Sequence, residues 1–325
     1  MNAKDRELNG RSTTMRWLRE HKDEAEQRQW DIMTHNTLAA RRLIQRVGTL
    51  PPERRMVRLG SEMLQGYTEK DWKSWWQQRE IQDHLAKIFA PVGEASRKHD
   101  VKISFHPGQF CVLASATPEI VERSIEEFEY HADLARWMGF GKSFQDGCKI
   151  NVHISGKQGP EGIIKALPKL SPEARNLITI ENDEWSHGLE KSLELEKHLA
   201  LVLDIHHHWI KDEEYMDPDD DRVKRVIDSW RGVRPSMHYS YSRDEHLAVA
   251  GLGDSTHTEM HNIKDLLDRG CKKQKLRAHS DLLPNTKVND WALSFSDNFD
   301  IQVEAKGKNM ASEQLYRQAK ETAVI

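Results

Sequence analysis

The chain has 325 residues, 37% of them hydrophobic, enough for one large domain or two ordinary ones. A formal net charge of −4 argues against a strongly basic nucleic-acid binder, unless acidic residues are metal ligands whose ions restore positive charge locally. Cys111, Cys148 and Cys271 fall in no CxxC spacing, their odd number argues against a disulfide framework, and neither a signal peptide nor a membrane-length apolar run is present. A reducing cytoplasm is the expectation.

Met1–Gly10 is polar and without period, and is expected to be disordered. Helical spacing runs from Thr13 to Gly48 as two helices, the second being Asn36–Arg46 with Gly48 as its stop. Arg55–Gly60 reads as a short strand, Gln65–Trp76 as a tryptophan-bearing loop, Glu80–Lys98 as a helix, and Val101–Phe105 as a strand ending in His106-Pro107-Gly108. Thr117-Pro118 supplies a cap and an N1 proline for a helix that Gly139 closes. Strands follow at Lys149–Ile154, Leu177–Ile180, Leu201–Ile205, Ser236–Ser240 and Phe299–Val303. Helices stand between them at Glu161–Leu167, Glu190–Leu199 and Asp219–Trp230, and a last one at Ser312–Ala323; residues 241–278 read as an irregular insertion.

Strand and helix alternate, so the expected fold is α/β with parallel strands, a TIM (β/α)8-type barrel in one domain spanning residues 1–325. Seven strands are countable; the eighth should precede Thr13, where Met1–Gly10 is a poor candidate.

The polar residues fall on a pattern. His106, His153, Glu181, Asp204 with His207, His238 and Glu304 each sit at or just past the C-terminal end of an expected strand, where barrel enzymes keep their active sites. Imidazoles and carboxylates without cysteine suit Mn²⁺, Zn²⁺ or Fe²⁺, and the number of candidates suits two or three ions. A cluster of that kind fits in-line displacement at phosphorus. A single-metal sugar isomerase or epimerase would use similar ligands, and spacing does not separate the two.

Six segments carry a resemblance. Ser104-Phe105-His106-Pro107-Gly108-Gln109-Phe110, Asn151-Val152-His153, Glu181-Asn182-Asp183, Asp204-Ile205-His206-His207-His208, Met237-His238-Tyr239-Ser240 and Val303-Glu304-Ala305-Lys306 occur in the order seen in UV damage endonucleases. Arg58-Leu59-Gly60-Ser61-Glu62 is similar to another strand of that family, and the early segments resemble versions carried by bacteriophages. The resemblance implies a barrel related to endonuclease IV, with a cluster of two or three divalent ions, most often Mn²⁺. It also implies cleavage of damaged double-stranded DNA immediately 5′ to a UV photoproduct, leaving a 3′-hydroxyl and a 5′-phosphate, in a bacterial or phage-infected cell. It carries over His106, His153, Glu181, Asp204, His207, His238, His279 and Glu304 as metal ligands, with Glu69 near the place of a missing histidine and His257 and His261 as substitutes for His279. Glu181, His238 and Lys306 become the catalytic candidates, and Gln109 and Phe110 the pair that probes the duplex at the lesion, where an aromatic ring can fill the gap left by extruded bases. No protein partner and no membrane are implied.

The family's first strand has no clear counterpart, Ser236 stands where a lysine is usual, and Phe110 replaces a tyrosine. These departures keep open a lesion-binding protein with reduced cleavage. Arg11, Arg16, Arg41, Arg42, Lys272, Lys273, Lys275 and Arg277 are candidate phosphate contacts, and Trp72, Trp75 and Trp76 either flank a DNA groove or pack internally.

Overall fold

The structure is a computed structural model that describes residues 5–252 and 257–322. Seven parallel strands follow one another in sequence order: β1 (Met56–Arg58), β2 (Lys102–Phe105), β3 (Cys148–His153), β4 (Ile178–Glu181), β5 (Ala200–Asp204), β6 (Ser236–Tyr239) and β7 (Asp300–Val303). Helices intervene between successive strands, and the fold is of the TIM (β/α) barrel type with seven strands. Among the described residues no strand precedes β1; Arg6–Leu8 form a 3₁₀ turn.

The contacts divide the chain into two compact units. The first comprises Met1–Val152 with Lys165–Ile178. It opens with a helix at Met15–Glu20, whose Thr14 cap accepts the Trp17 N–H at 3.1 Å, and continues with one unbroken helix at Lys22–Val47. The break expected before Asn36 is absent because no glycine or proline interrupts 22–47. Of the N-terminal segment expected to be disordered, residues 5–10 carry the 3₁₀ turn and residues 1–4 lie outside the described part. Asn36 ties the backbone at both groups of Arg11, accepting its N–H at 2.6 Å and donating to its carbonyl at 2.9 Å, and His35 Nε2 meets the Asn9 carbonyl at 3.1 Å.

A second correction concerns the tryptophans. Lys70–Trp76 is a helix rather than a loop, and Trp72, Trp75 and Trp76 are 9%, 8% and 1% exposed. Edge-to-face contacts at 5.4 Å (Trp72–Trp75) and 4.7 Å (Trp75–Trp76) make them a core cluster, not a groove wall. Behind it run the helices Arg79–His99 and Pro118–Trp137. Gly93 is required where they converge, since a Cβ there would stand 1.8 Å from the Met138 carbonyl oxygen.

The second unit comprises His153–Ile164 and Thr179–Ile325. Every residue of β4 and β5 is buried, as in parallel strands covered on both faces. Glu181 pairs with Val202, and Asp204 pairs with His238, while β6 and β7 pair from Ser236↔Asp300 to Tyr239↔Val303. The helix expected at Glu190–Leu199 is only Leu189–Leu193, and the segment expected to be irregular holds short helices at Asp244–Leu247, Ile263–Asp268 and Lys273–Leu276.

Candidate metal centre

Register and alternation put the first donors together. Asp204 lies two residues beyond Val202, the partner of Glu181, so both carboxylates face the same side of neighbouring strands, and Asp204 is itself opposite His238. One donor atom from each of Glu181, Asp204 and His238 lies within 4.8 Å of the others, and all three residues are buried. Glu304, just past β7, joins them: His238 Nδ1 is 3.0 Å from Glu181 Oε1 and 3.2 Å from Glu304 Oε1. His153, the last residue of β3, brings Nε2 to 3.7 Å from Glu181 Oε2. His279 stands at the rim, its Nδ1 3.9 Å from Glu304 Oε2.

The three consecutive histidines separate because a helix, Ile205–Asp212, starts on them. Asp204 caps that helix, its Oδ1 accepting the His207 N–H at 2.7 Å. The turn aims His207 at the carboxylates, with Nδ1 3.3 Å from Glu181 Oε1 and 3.7 Å from Asp204 Oδ2. His206 points instead to Ser240 and Ser242, at 2.8 and 3.1 Å, and His208 to Asp212 and Glu214, at 2.9 and 2.8 Å.

Asn182 holds the arrangement rigid. Fully buried, it donates from Nδ2 to the Asp204 carbonyl at 2.9 Å and accepts the Asp204 N–H at 2.8 Å, extending the β4–β5 ladder by a side chain. Its own carbonyl accepts from His207 Nδ1 at 2.9 Å. Asp183 accepts from His153 Nδ1 at 3.2 Å and from the Trp185 N–H at 2.7 Å, and also from the Ser186 N–H. These orienting contacts on the outer ring nitrogens are the kind that fix a metal-ligating histidine.

The electrostatics leave a deficit of positive charge. Burial, with Glu181 and Glu304 alongside, pushes the Asp204 carboxyl up to about 7. Burial works against an imidazolium at His207, but Asp204, Glu181 and Glu184 outweigh it and raise the group to about 10. Burial opposes the charge of Asp183 too, yet the His153, Ser186 and Trp185 contacts bring it down to about 2. Asp204 Oδ2 is buried with no hydrogen-bond donor. A divalent cation is the complement that such a cluster of imidazoles and carboxylates lacks, so these residues fit the ions that their types imply.

Other candidates stand elsewhere. His106, in the first unit, follows β2; its Nδ1 faces the Pro107 carbonyl at 3.0 Å, and its own carbonyl accepts from Ser61 Oγ at 2.9 Å. Gln109 is exposed, and Phe110 is 85% exposed, so the ring is not a packing residue. Glu69 is exposed at the cap of the 70–76 helix and belongs to none of the metal-capable groups among the described residues. Lys306 is exposed. His257 meets Asp244 and His261 meets Asn285, and like His279 they belong to none of the metal-capable groups among the described residues. Of the basic candidates, Arg16 pairs with Glu20, Arg42 with Glu7 and Lys273 with Glu213.

Sequence reasoning passed over Glu184 and Trp185. Glu184 is buried within the cluster, while Trp185 beside it is 62% exposed. The only signal for Glu184 is a carboxylate three residues past Glu181, in a stretch already rich in them.

The crystal structure of SacUVDE matches with a TM-score of 0.72 at 22% identity, covering 97% of this chain and 94% of that one. Endonuclease IV from Thermus thermophilus matches with a TM-score of 0.51 at 14% identity, over 82% of this chain and 98% of that one. The UV DNA damage endonuclease of Bacillus mycoides (strain KBAB4) is 25% identical over 252 residues, which are 73% of this chain and 69% of the relative. That of Bacillus velezensis is 30% identical over 166 residues, 48% of this chain and 50% of the relative. The fold is a TIM-type barrel, and the class that kinship defines is a DNA repair endonuclease. More narrowly, the family model described as UV-endonuclease UvdE matches residues 1–325, and the chain belongs to that family. No helix among the described residues is long and apolar enough to cross a membrane.

Proposed function

We propose that this chain is a metal-dependent endonuclease that cuts damaged double-stranded DNA at the phosphodiester immediately 5′ to a UV photoproduct, leaving a 3′-hydroxyl and a 5′-phosphate. The observation that carries the metal dependence is the convergence of Glu181, Asp204 and His238 on one buried point, with Glu304 Oε1 3.2 Å from His238 Nδ1 and His207 beside the carboxylates. Divalent ions held there, Mn²⁺ by preference, would supply the positive charge that stabilises both the attacking and the departing oxygen at phosphorus. The chain's own residues do the rest. Glu181 offers its two oxygens to the histidines on either side, and Asn182 and Asp183 fix the rings and strand ends that must not move. Lys306 offers a positive charge to a phosphate, while Phe110 and Gln109 occupy the gap left by displaced bases, where stacking is tolerant of sequence.

Supercoiled plasmid, irradiated or not, tests this when incubated with the protein and Mn²⁺, with EDTA either absent or present from the start. The expected result is nicking of irradiated plasmid alone, abolished by EDTA. Retention of irradiated DNA without nicking under any divalent metal would replace this reading with lesion binding alone.

A further inference from the structure

We infer that Glu184 is a metal ligand, forming with His153 and His207 a cation position separate from that of Glu181, Asp204 and His238. The inference rests on the metal-dependent reading above and adds to it a ligand outside the motifs that define the site. One donor atom from each of His153, Glu184 and His207 lies within 4.8 Å of the other two, and this group shares no residue with Glu181, Asp204 and His238.

The second and independent observation is how these donors are held. His153 engages the Asp183 carboxylate through Nδ1 at 3.2 Å, which turns Nε2 inward. His207 gives Nδ1 to the Asn182 carbonyl at 2.9 Å; a carbonyl only accepts, so that nitrogen carries the proton and Nε2 is the coordinating one. His207 Nε2 lies 3.4 Å from Glu184 Oε2. The Glu184 side chain is 4% exposed, and Arg277 Nε holds its Oε1 at 2.7 Å. Oε2, which faces the His207 imidazole, has no hydrogen-bond donor. Each of the three donors therefore has one atom anchored from behind and another presented to a common point, the arrangement that metal sites use to orient ligands.

The chain places Glu184 there by a local device. The Asp183 side chain accepts the Trp185 and Ser186 N–H groups, folding the segment after β4 back over its end. Glu184 is thereby turned inward while Trp185 faces out. Two imidazoles and one carboxylate suit Mn²⁺ or Zn²⁺, and Glu181, whose oxygens approach His153 on one side and His238 on the other, lies between the two positions.

The test is Mn²⁺ titration of the full chain, read by metal analysis after dialysis and by electron paramagnetic resonance, for wild type, Glu184→Gln, Asp204→Asn and Arg277→Gln. Glu184→Gln should bind one equivalent fewer than wild type, and the spin-coupled signal of neighbouring ions should give way to that of an isolated Mn²⁺. Arg277→Gln, which removes only the anchor, should keep the stoichiometry and weaken the affected site about 10–100-fold. Should Glu184→Gln prove poorly folded by circular dichroism, Glu184→Asp, which keeps the charge one carbon short, serves the same purpose: a weakened but present second equivalent is expected. If Glu184→Gln binds Mn²⁺ like wild type while Asp204→Asn does not, Glu184 is only the ion-pair partner of Arg277 and the inference fails with the metal reading intact. If wild type itself binds no Mn²⁺, both fall.

Discussion

A phenylalanine left 85% exposed forgoes the stabilisation that burial would give it, and at Phe110 the ring follows directly on the His106-Pro107-Gly108-Gln109 turn. Base stacking would recover that loss in the complex. Phe110→Ala should therefore weaken binding to lesion-containing duplex by about five- to 150-fold, the equivalent of roughly 1–3 kcal/mol per stacked base, without changing bound metal. A binding isotherm on duplexes with and without a photoproduct measures this; equal affinities would make the exposed ring incidental. Asn182 gives a contrasting case, because it acts wholly inside the fold. Asn182→Ala strands two buried backbone groups of Asp204, at about 1–3 kcal/mol each, so chemical denaturation should show a clear loss and metal affinity should fall with it. Residue by residue, the sequence discloses which types converge but not where a side chain turns. The sequence singles out His207 with Asp204 but does not say where His206 and His208 turn; the helix that begins at Ile205 sends each of the three in a different direction. Glu184 was invisible for the same reason, since its inward turn depends on a loop folded by Asp183.

At the scale of elements, Asp204 does two jobs that substitution can separate. Asparagine caps a helix as well as aspartate does, so Asp204→Asn should preserve the start of the 205–212 helix and the melting temperature of the metal-free protein, while abolishing tight Mn²⁺ binding. Loss of the helix signal in circular dichroism would show that the cap, not the charge, was at stake. The Lys70–Trp76 helix calls for the reverse pattern. Trp76→Ala should cost about 3–5 kcal/mol of stability, as large-to-small core changes do, and leave nicking per folded molecule unchanged. The strands were readable because apolar, β-branched runs end abruptly in His, Glu or Asp. The 70–76 helix was harder to see: Trp72, Trp75 and Trp76 stand at i, i+3 and i+4, but a stripe of three residues among polar neighbours is too short to set a helix apart from a loop. The single helix Lys22–Val47 differs from the two expected because nothing between its ends breaks it, whereas the expected stop at Gly48 is where it ends.

Over the whole molecule, the second unit gathers more buried negative charge than its imidazoles neutralise, and this links stability, pH and metal. Asp204 holds its proton up to about 7 in the fold against 3.8 ordinarily, and His207 up to about 10 against 6.5. Both groups bind protons more tightly folded than unfolded, so their contribution is complete below the ordinary value and is lost as pH rises through the folded one. The metal-free protein should thus become less stable from mildly acidic to alkaline pH, whereas Mn²⁺, which displaces those protons, should bind more tightly over the same range. Thermal melts with and without Mn²⁺ should show a gap that widens with pH; a gap that narrows would contradict the charge assignment. Glu181 lies at the centre of this balance, and Glu181→Gln should lower metal content and reduce cleavage by several orders of magnitude, with metal-free stability unchanged or raised by the loss of a like charge. The most direct measurement places one photoproduct at a known position in an end-labelled duplex and maps the cut at nucleotide resolution. The account predicts a single Mn²⁺-dependent break immediately 5′ to the lesion, with a 3′-hydroxyl that a polymerase extends, absent with EDTA and in Glu181→Gln; undiminished cleavage by Glu181→Gln, or a cut indifferent to the lesion, would contradict it.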